Sequence, residues 1–118
     1  MNNRKAIDLA RRAAEKADRV ADTLHALRIK VPAVHDVLVE RARQIDTERY
    51  TPDEDARKNL DGDLTMAAVA YALHAPGDPC CSASMWPWDT ASFKPKDRRR
   101  NLIRAAALLI AEIERMDG

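Results

Sequence analysis

Between Met85 and Arg104 this 118-residue chain concentrates the side chains best suited to hold a ligand. Trp86, Trp88 and Phe93 are three of its five aromatics, and in the second half of the segment Lys94, Lys96, Arg98, Arg99, Arg100 and Arg104 stand against one acid, Asp97. Aromatic faces stack bases, guanidinium forks grip phosphate, and a helix beginning near Pro95 adds unpaired N–H groups at the positive end of its dipole. The matching ligand is a nucleotide or a nucleic-acid strand, with Trp86 or Trp88 stacking and Lys94, Lys96, Arg98 and Arg99 on phosphate. The same aromatics could instead plug the end of a helical bundle, leaving the cations in solvent.

Two further groups could carry chemistry. Glu40, Arg43 and Gln44 share one face of a helix by their spacing of three and four, so they either converge on a ligand or form a solvated face, the commoner fate of charged helix surfaces. The acids Asp53, Glu54, Asp55, Asp61 and Asp63 could hold Mg²⁺ for phosphate chemistry, but a calcium-loop register starting at Asp53 places Arg57 at a ligand position, and helix capping and solvation explain acids there better. His25, His35 and His74 are far apart and Cys80 and Cys81 are adjacent, so zinc spacing is missing and an ordinary disulfide between the two cysteines is strained. With three glycines in the chain there is no glycine-rich phosphate loop, and no serine or cysteine has a base at catalytic spacing. A nucleophilic hydrolase is not expected.

Helices must position these groups. Ile7, Ala10, Ala14, Ala17, Ala21 and Leu24 recur every three or four residues, which predicts a long first helix over 3–28 with a narrow, alanine-rich seam. Such a seam calls for a partner helix, from its own chain or from a second copy in a homodimer. Pro32 opens a second helix to about Asp46, with Val34, Val37, Leu38, Ala42 and Ile45 as its expected buried side. Thr51, Pro52 and Glu54 form a capping box for a short extra helix. Residues 64–74 are apolar nearly all round and predict a buried central helix. Four of the six prolines fall in 75–96, a long loop, after which a last helix runs to Met116 with Leu102, Ala106, Leu109, Ile113 and Met116 expected inside, reinforced by Ile103 and Ile110. The expected fold is all-α: a bundle of four main helices plus a short one, forming one domain in which 1–30 is an addition to a core at 31–118.

Composition narrows the functional classes. Hydrophobic residues are 46% of the chain, but 21 of them are alanine, so bulky core residues are scarce. Twenty basic against nineteen acidic residues give no overall field to attract nucleic acid or a membrane. No apolar run approaches the roughly 18 residues of a membrane span, and no signal peptide follows the N-terminal Arg4 and Lys5, so a cytoplasmic protein without a membrane partner is expected.

Residues 39–117, and most specifically Trp86-Pro87-Trp88-Asp89 followed by Lys94-Pro95-Lys96-Asp97-Arg98-Arg99 and the helix ending Ala111-Glu112-Ile113-Glu114-Arg115, resemble a family of small, mostly uncharacterised phage and prophage proteins. After Thr51-Pro52, where the family carries histidines and acids, this chain has Asp53-Glu54-Asp55 and Lys58, a departure that weakens any metal role. It supplies no site residues. What it implies is a phage accessory protein working in the host cytosol without a cofactor, most simply a non-enzymatic counter-defence protein that captures an anionic nucleotide-type ligand. Two alternatives stand beside it: an inhibitor that binds a host defence complex, and a metal-dependent nucleotide hydrolase.

Overall fold

A computed structural model of the chain describes residues 3–48, 62–74 and 84–118, and within them the protein is helical, with no strand. The four helices are α1 (Asn3–Lys30), α2 (Pro32–Arg43), α3 (Asp63–Leu73) and α4 (Arg98–Asp117). The chain divides into two compact units, Met1–His35 and Asp36–Gly118. Cys80, Cys81, the capping box at Thr51 and the acids Asp53, Glu54, Asp55 and Asp61 lie outside the described residues.

In the first unit α1 is one unbroken helix of 28 residues. Its surface carries charge pairing at helical spacing, with Arg11 reaching Asp8 one turn earlier at 3.1 Å. Pro32 occupies the first position of α2, where its missing N–H costs nothing and its fixed φ suits the helix.

The second unit is built on α3 against α4. Leu64, Ala67, Ala68 and Tyr71 of α3 pack with Ala105, Leu108 and Ala111 of α4 in one apolar cluster. Four of these seven side chains are alanine, which lets the two backbones approach closely and explains how a chain poor in bulky residues still closes a core. Gly62 starts α3 from a left-handed conformation at φ 80°, a position that glycine takes without strain. Asp97 caps α4, its carboxylate accepting the Arg100 N–H at 2.9 Å, so the helix begins at Arg98 and not at Pro95 or Lys96.

Two expected buried faces are corrected. On α4 the inward side is Asn101, Ile103, Ala105, Ala107, Leu108, Ala111 and Glu112, whereas Leu102, Leu109, Ile113 and Met116 are exposed. On α2 the fully buried residues are Glu40 and Arg41, joined by Gln44 just beyond, while Leu38 is 56% exposed. The reason lies in how α2 meets α4, through ion pairs and hydrogen bonds. Arg41 Nε donates to Glu114 at 3.1 Å, Arg99 reaches Asp36 at 2.7 Å, and Arg100 lies 3.4 Å from Glu40. Buried polar groups persist only with such partners, so the polar face of α2 turns inward.

Residues 84–97 are not structureless. Trp86, Trp88 and Phe93 pack against the α3/α4 core, with Trp86 5.3 Å from the Tyr71 ring edge to face, 5.1 Å from Trp88 and 4.9 Å from Phe93. The Trp86 indole N–H points at the Asp89 carbonyl and the Ser92 hydroxyl, both at 3.1 Å, across a 3₁₀ turn at Thr90–Ser92. The buried Asn101 amide then clamps the end of the segment, accepting from Lys96 N–H at 2.7 Å and donating to the Lys96 carbonyl at 3.1 Å.

Candidate functional site

The last five residues of the α2 region, Gln44–Glu48, form a π turn. Such widened turns re-aim side chains and recur at functional sites. Here the turn carries Gln44 and Glu48 to the same wall as Glu40 and Arg43. Opposite stand Tyr71 of α3, Arg104 and Leu108 of α4, and Trp86 and Ser92 of the aromatic segment, enclosing a partly open cavity of about 50 Å³.

Glu40 is its hub. The side chain is 1% exposed, and its carboxylate accepts from Arg43 Nε at 2.9 Å and Arg43 Nη2 at 2.6 Å, a bidentate fork of the strong, charge-assisted kind. Burial pushes the Glu40 carboxyl up, but the hydrogen bonds from Arg43 and the charges of Arg43, Arg100 and Arg104 outweigh it, and the group ionises below its ordinary value. The partner responds in kind: hydrogen bonding to Glu40 and Glu48 raises the Arg43 guanidinium against the opposing effect of burial. Arg43 Nη1 also reaches Glu48 at 3.1 Å. Arg104 stands over the Tyr71 ring at 5.6 Å and donates to the Lys94 carbonyl.

Two guanidiniums, Arg43 and Arg104, thus line the cavity with two carboxylates, Glu40 and Glu48, and Arg100 reaches Glu40 without lining it. Two buried polar atoms of the cavity's lining residues have no partner: the amide oxygen of Gln44 and Nε of Arg104. One is an acceptor and the other a donor.

The residues singled out in the sequence divide. Trp86, Glu40, Arg43 and Gln44 line this cavity together. Trp88 packs on Trp86 and the core, Lys94 presents its carbonyl to Arg104, and Lys96 gives its backbone to Asn101. Arg98 donates to the carbonyl of Ala72 near the end of α3, and Arg99 pairs with Asp36, so these cations do not gather around the indoles. Tyr71 and Glu48 were not expected at a site, and Ser92 and Arg104 belonged to the aromatic and basic segment without a role of their own. For Arg104 the signal is present in its spacing, one turn after Arg100 and on the same face. Glu48 depends on the π turn, which no spacing argument foretells. Asp63 sits in the first turn of α3, and among the described residues no group of three or more His, Cys, Asp or Glu is placed to hold a metal ion. No helix among the described residues is long and apolar enough to cross a membrane.

Compared with known proteins, the chain matches no family model, no curated protein and no solved structure.

Proposed function

We propose that the chain is a small phage-encoded accessory protein that works in the host cytosol as a non-enzymatic counter-defence factor, by capturing an anionic nucleotide-type ligand at the cavity around Glu40, Arg43, Gln44 and Arg104. The observation that supports this is the pair of guanidiniums, Arg43 and Arg104, on the lining of a partly open cavity. A cavity of about 50 Å³ admits one small group, so the rest of the ligand lies along the open mouth. Trp86 lines the cavity with its ring packed against Tyr71 and Phe93, so it shapes the pocket and does not stack the base. The phage assignment rests on the likeness of the Trp86–Asp89 and Lys94–Arg99 motifs.

Thermal-shift measurement against nucleotides and cyclic nucleotides tests the proposal. A ligand at one hundred times its dissociation constant stabilises the folded state by about 2.7 kcal/mol, which raises the melting temperature by about 10 °C in a domain of this size. Arg104→Ala should abolish the shift while Arg99→Ala retains it. Absence of a shift with every nucleotide refutes the proposal.

A second reading has its own support. The outward row Leu102, Leu109, Ile113 and Met116 on α4 is exposed at helical spacing, the pattern with which a helix enters an apolar groove of a protein partner. On this reading the chain inhibits a host defence complex. Ile113→Glu should then abolish copurification with that complex without altering nucleotide binding, and unchanged copurification refutes it.

A further inference from the structure

No residue of α1 is buried along its 28 residues, although an amphipathic helix draws most of its stability from packing its apolar face. Ile7, Val20, Leu24 and Leu27 are between 42% and 65% exposed. They are not scattered. Ile7, Ala10, Ala14, Ala17, Ala21 and Leu24 alternate spacings of three and four, and Ala6, Ala13, Val20 and Leu27 recur every seven residues beside them. Together the two rows make one apolar stripe more than about 100° wide. Bulky side chains mark its two ends, and the alanines between them allow a facing backbone to come close, provided that the facing helix is equally small there. A second copy of α1 meets that condition.

The charges beside the stripe select the same partner and its direction. One flank carries Lys5, Arg12, Lys16, Arg19 and Lys30 with no acid among them. On the other, Asp8, Glu15, Asp18 and Asp22 outnumber Arg4 and Arg11, with His25 nearer the end, and Arg11 is paired with Asp8 of its own flank at 3.1 Å. Two copies related by a dyad along the helix axis bring opposite flanks together, so base meets acid on both sides of the contact. An antiparallel pair brings like flanks together and sets base against base. Lys16 and Asp18 stand one residue either side of Ala17, on opposite flanks and at nearly the same height, so in a parallel pair each Lys16 faces the Asp18 of the second copy. We propose that α1 joins two copies of this chain as a parallel, in-register homodimer. The inference is independent of any ligand at the cavity.

Sedimentation equilibrium of the full chain tests this. The mass should rise from 13.2 kDa to twice that value as concentration increases from about 1 μM to about 1 mM. Ala17→Glu puts a charge at the centre of the stripe and should leave a monomer at every concentration, with the tryptophan emission of the second unit unchanged. Lys16→Glu and Asp18→Lys should each weaken the dimer about tenfold by setting like charges together, and an equimolar mixture of the two should recover the wild-type affinity, since the mixed pair restores both contacts. Both positions are exposed, so this exchange decides the matter if Ala17→Glu fails to fold. In a Cys80→Ser, Cys81→Ser background, Ala10→Cys should cross-link to its own counterpart on oxidation, whereas an antiparallel pair that sets Ala10 against Leu24 separates the two copies of residue 10 by about 21 Å. A monomer throughout overturns the inference and leaves the stripe to a different protein. A larger oligomer, a dimer untouched by Ala17→Glu, or a mixture no tighter than the single variants also overturns it. Cross-linking of Ala10→Cys only to Leu24→Cys overturns the parallel arrangement.

Discussion

Replacing Glu40 by glutamine keeps the volume of the buried side chain and removes its charge, and the structure sets what that costs. In the native protein the carboxylate holds the Arg43 fork at 2.9 and 2.6 Å and has Arg100 at 3.4 Å. Hydrogen bonds to a charged group contribute about 1.5–3 kcal/mol net, and breaking a fully buried ion pair costs about 3–5 kcal/mol. Solvent reduces both here, because the Arg43 and Arg100 side chains are 36% and 44% exposed and Arg43 keeps Glu48 as a second partner. A destabilisation of about 2 kcal/mol at pH 7 follows, measurable as a shift in the urea midpoint by circular dichroism. Its pH dependence has a definite sign. The folded-state carboxyl ionises below its ordinary value of 4.5, so its contribution is fully present above that pH and is lost as pH falls through the lower folded value. The difference between wild type and Glu40→Gln should therefore be constant from pH 7 to about 5.5 and shrink toward zero in stronger acid. A difference below about 0.5 kcal/mol at pH 7, or one equally large at pH 7 and in acid, would refute the assignment of Glu40 as an ionised hub.

Other substitutions probe the packing and the loop. Leu108→Ala, at a core position, should cost about 3 kcal/mol in chemical denaturation, whereas Leu109→Ala on the outer face should cost well under 1 kcal/mol; equal losses would mean that the buried face of α4 is misplaced. Ala67→Leu or Ala111→Leu forces methylenes between closely packed helices and should destabilise by about 1–3 kcal/mol, a prediction that unchanged melting would sink. Asn101→Ala removes both bonds to the Lys96 backbone and should cost about 1–2 kcal/mol and speed amide exchange in residues 93–97, readable by hydrogen exchange.

The sequence made helices legible because their apolar residues recur at three and four, and it located Pro32 and the central helix over 64–74 for the same reason. It misplaced the inward faces of α2 and α4. Periodicity weighs bulky residues, and here much of the buried surface is alanine together with Glu40, Arg41, Gln44, Asn101 and Glu112, which look like a solvent face until their partners are known. Those partners are sixty or more residues away for Gln44 with Arg104 and Arg41 with Glu114, beyond any local pattern. The start of α4 was misplaced by two or three residues because Pro95 and Asp97 both signal a helix start, and only the bond to Arg100 N–H identifies Asp97 as the cap. The aromatic and basic segment stood out by composition, yet the structure separates its halves: the rings join the core and most of its cations serve backbone carbonyls or a single acid.

The placement of the two tryptophans turns the molecule into its own optical probe. Trp86 and Trp88 are the only indoles in the chain, their rings lie 5.1 Å apart, and Trp86 touches both the α3/α4 core and the cavity. Emission excited in the indole band therefore originates from one spot, where an occupied cavity, a loosened 84–97 segment and the melting of the second unit are all sensed, while α1 contributes nothing. Comparing that emission with far-ultraviolet ellipticity, to which all 28 residues of α1 contribute, separates the unfolding of the two units without a label.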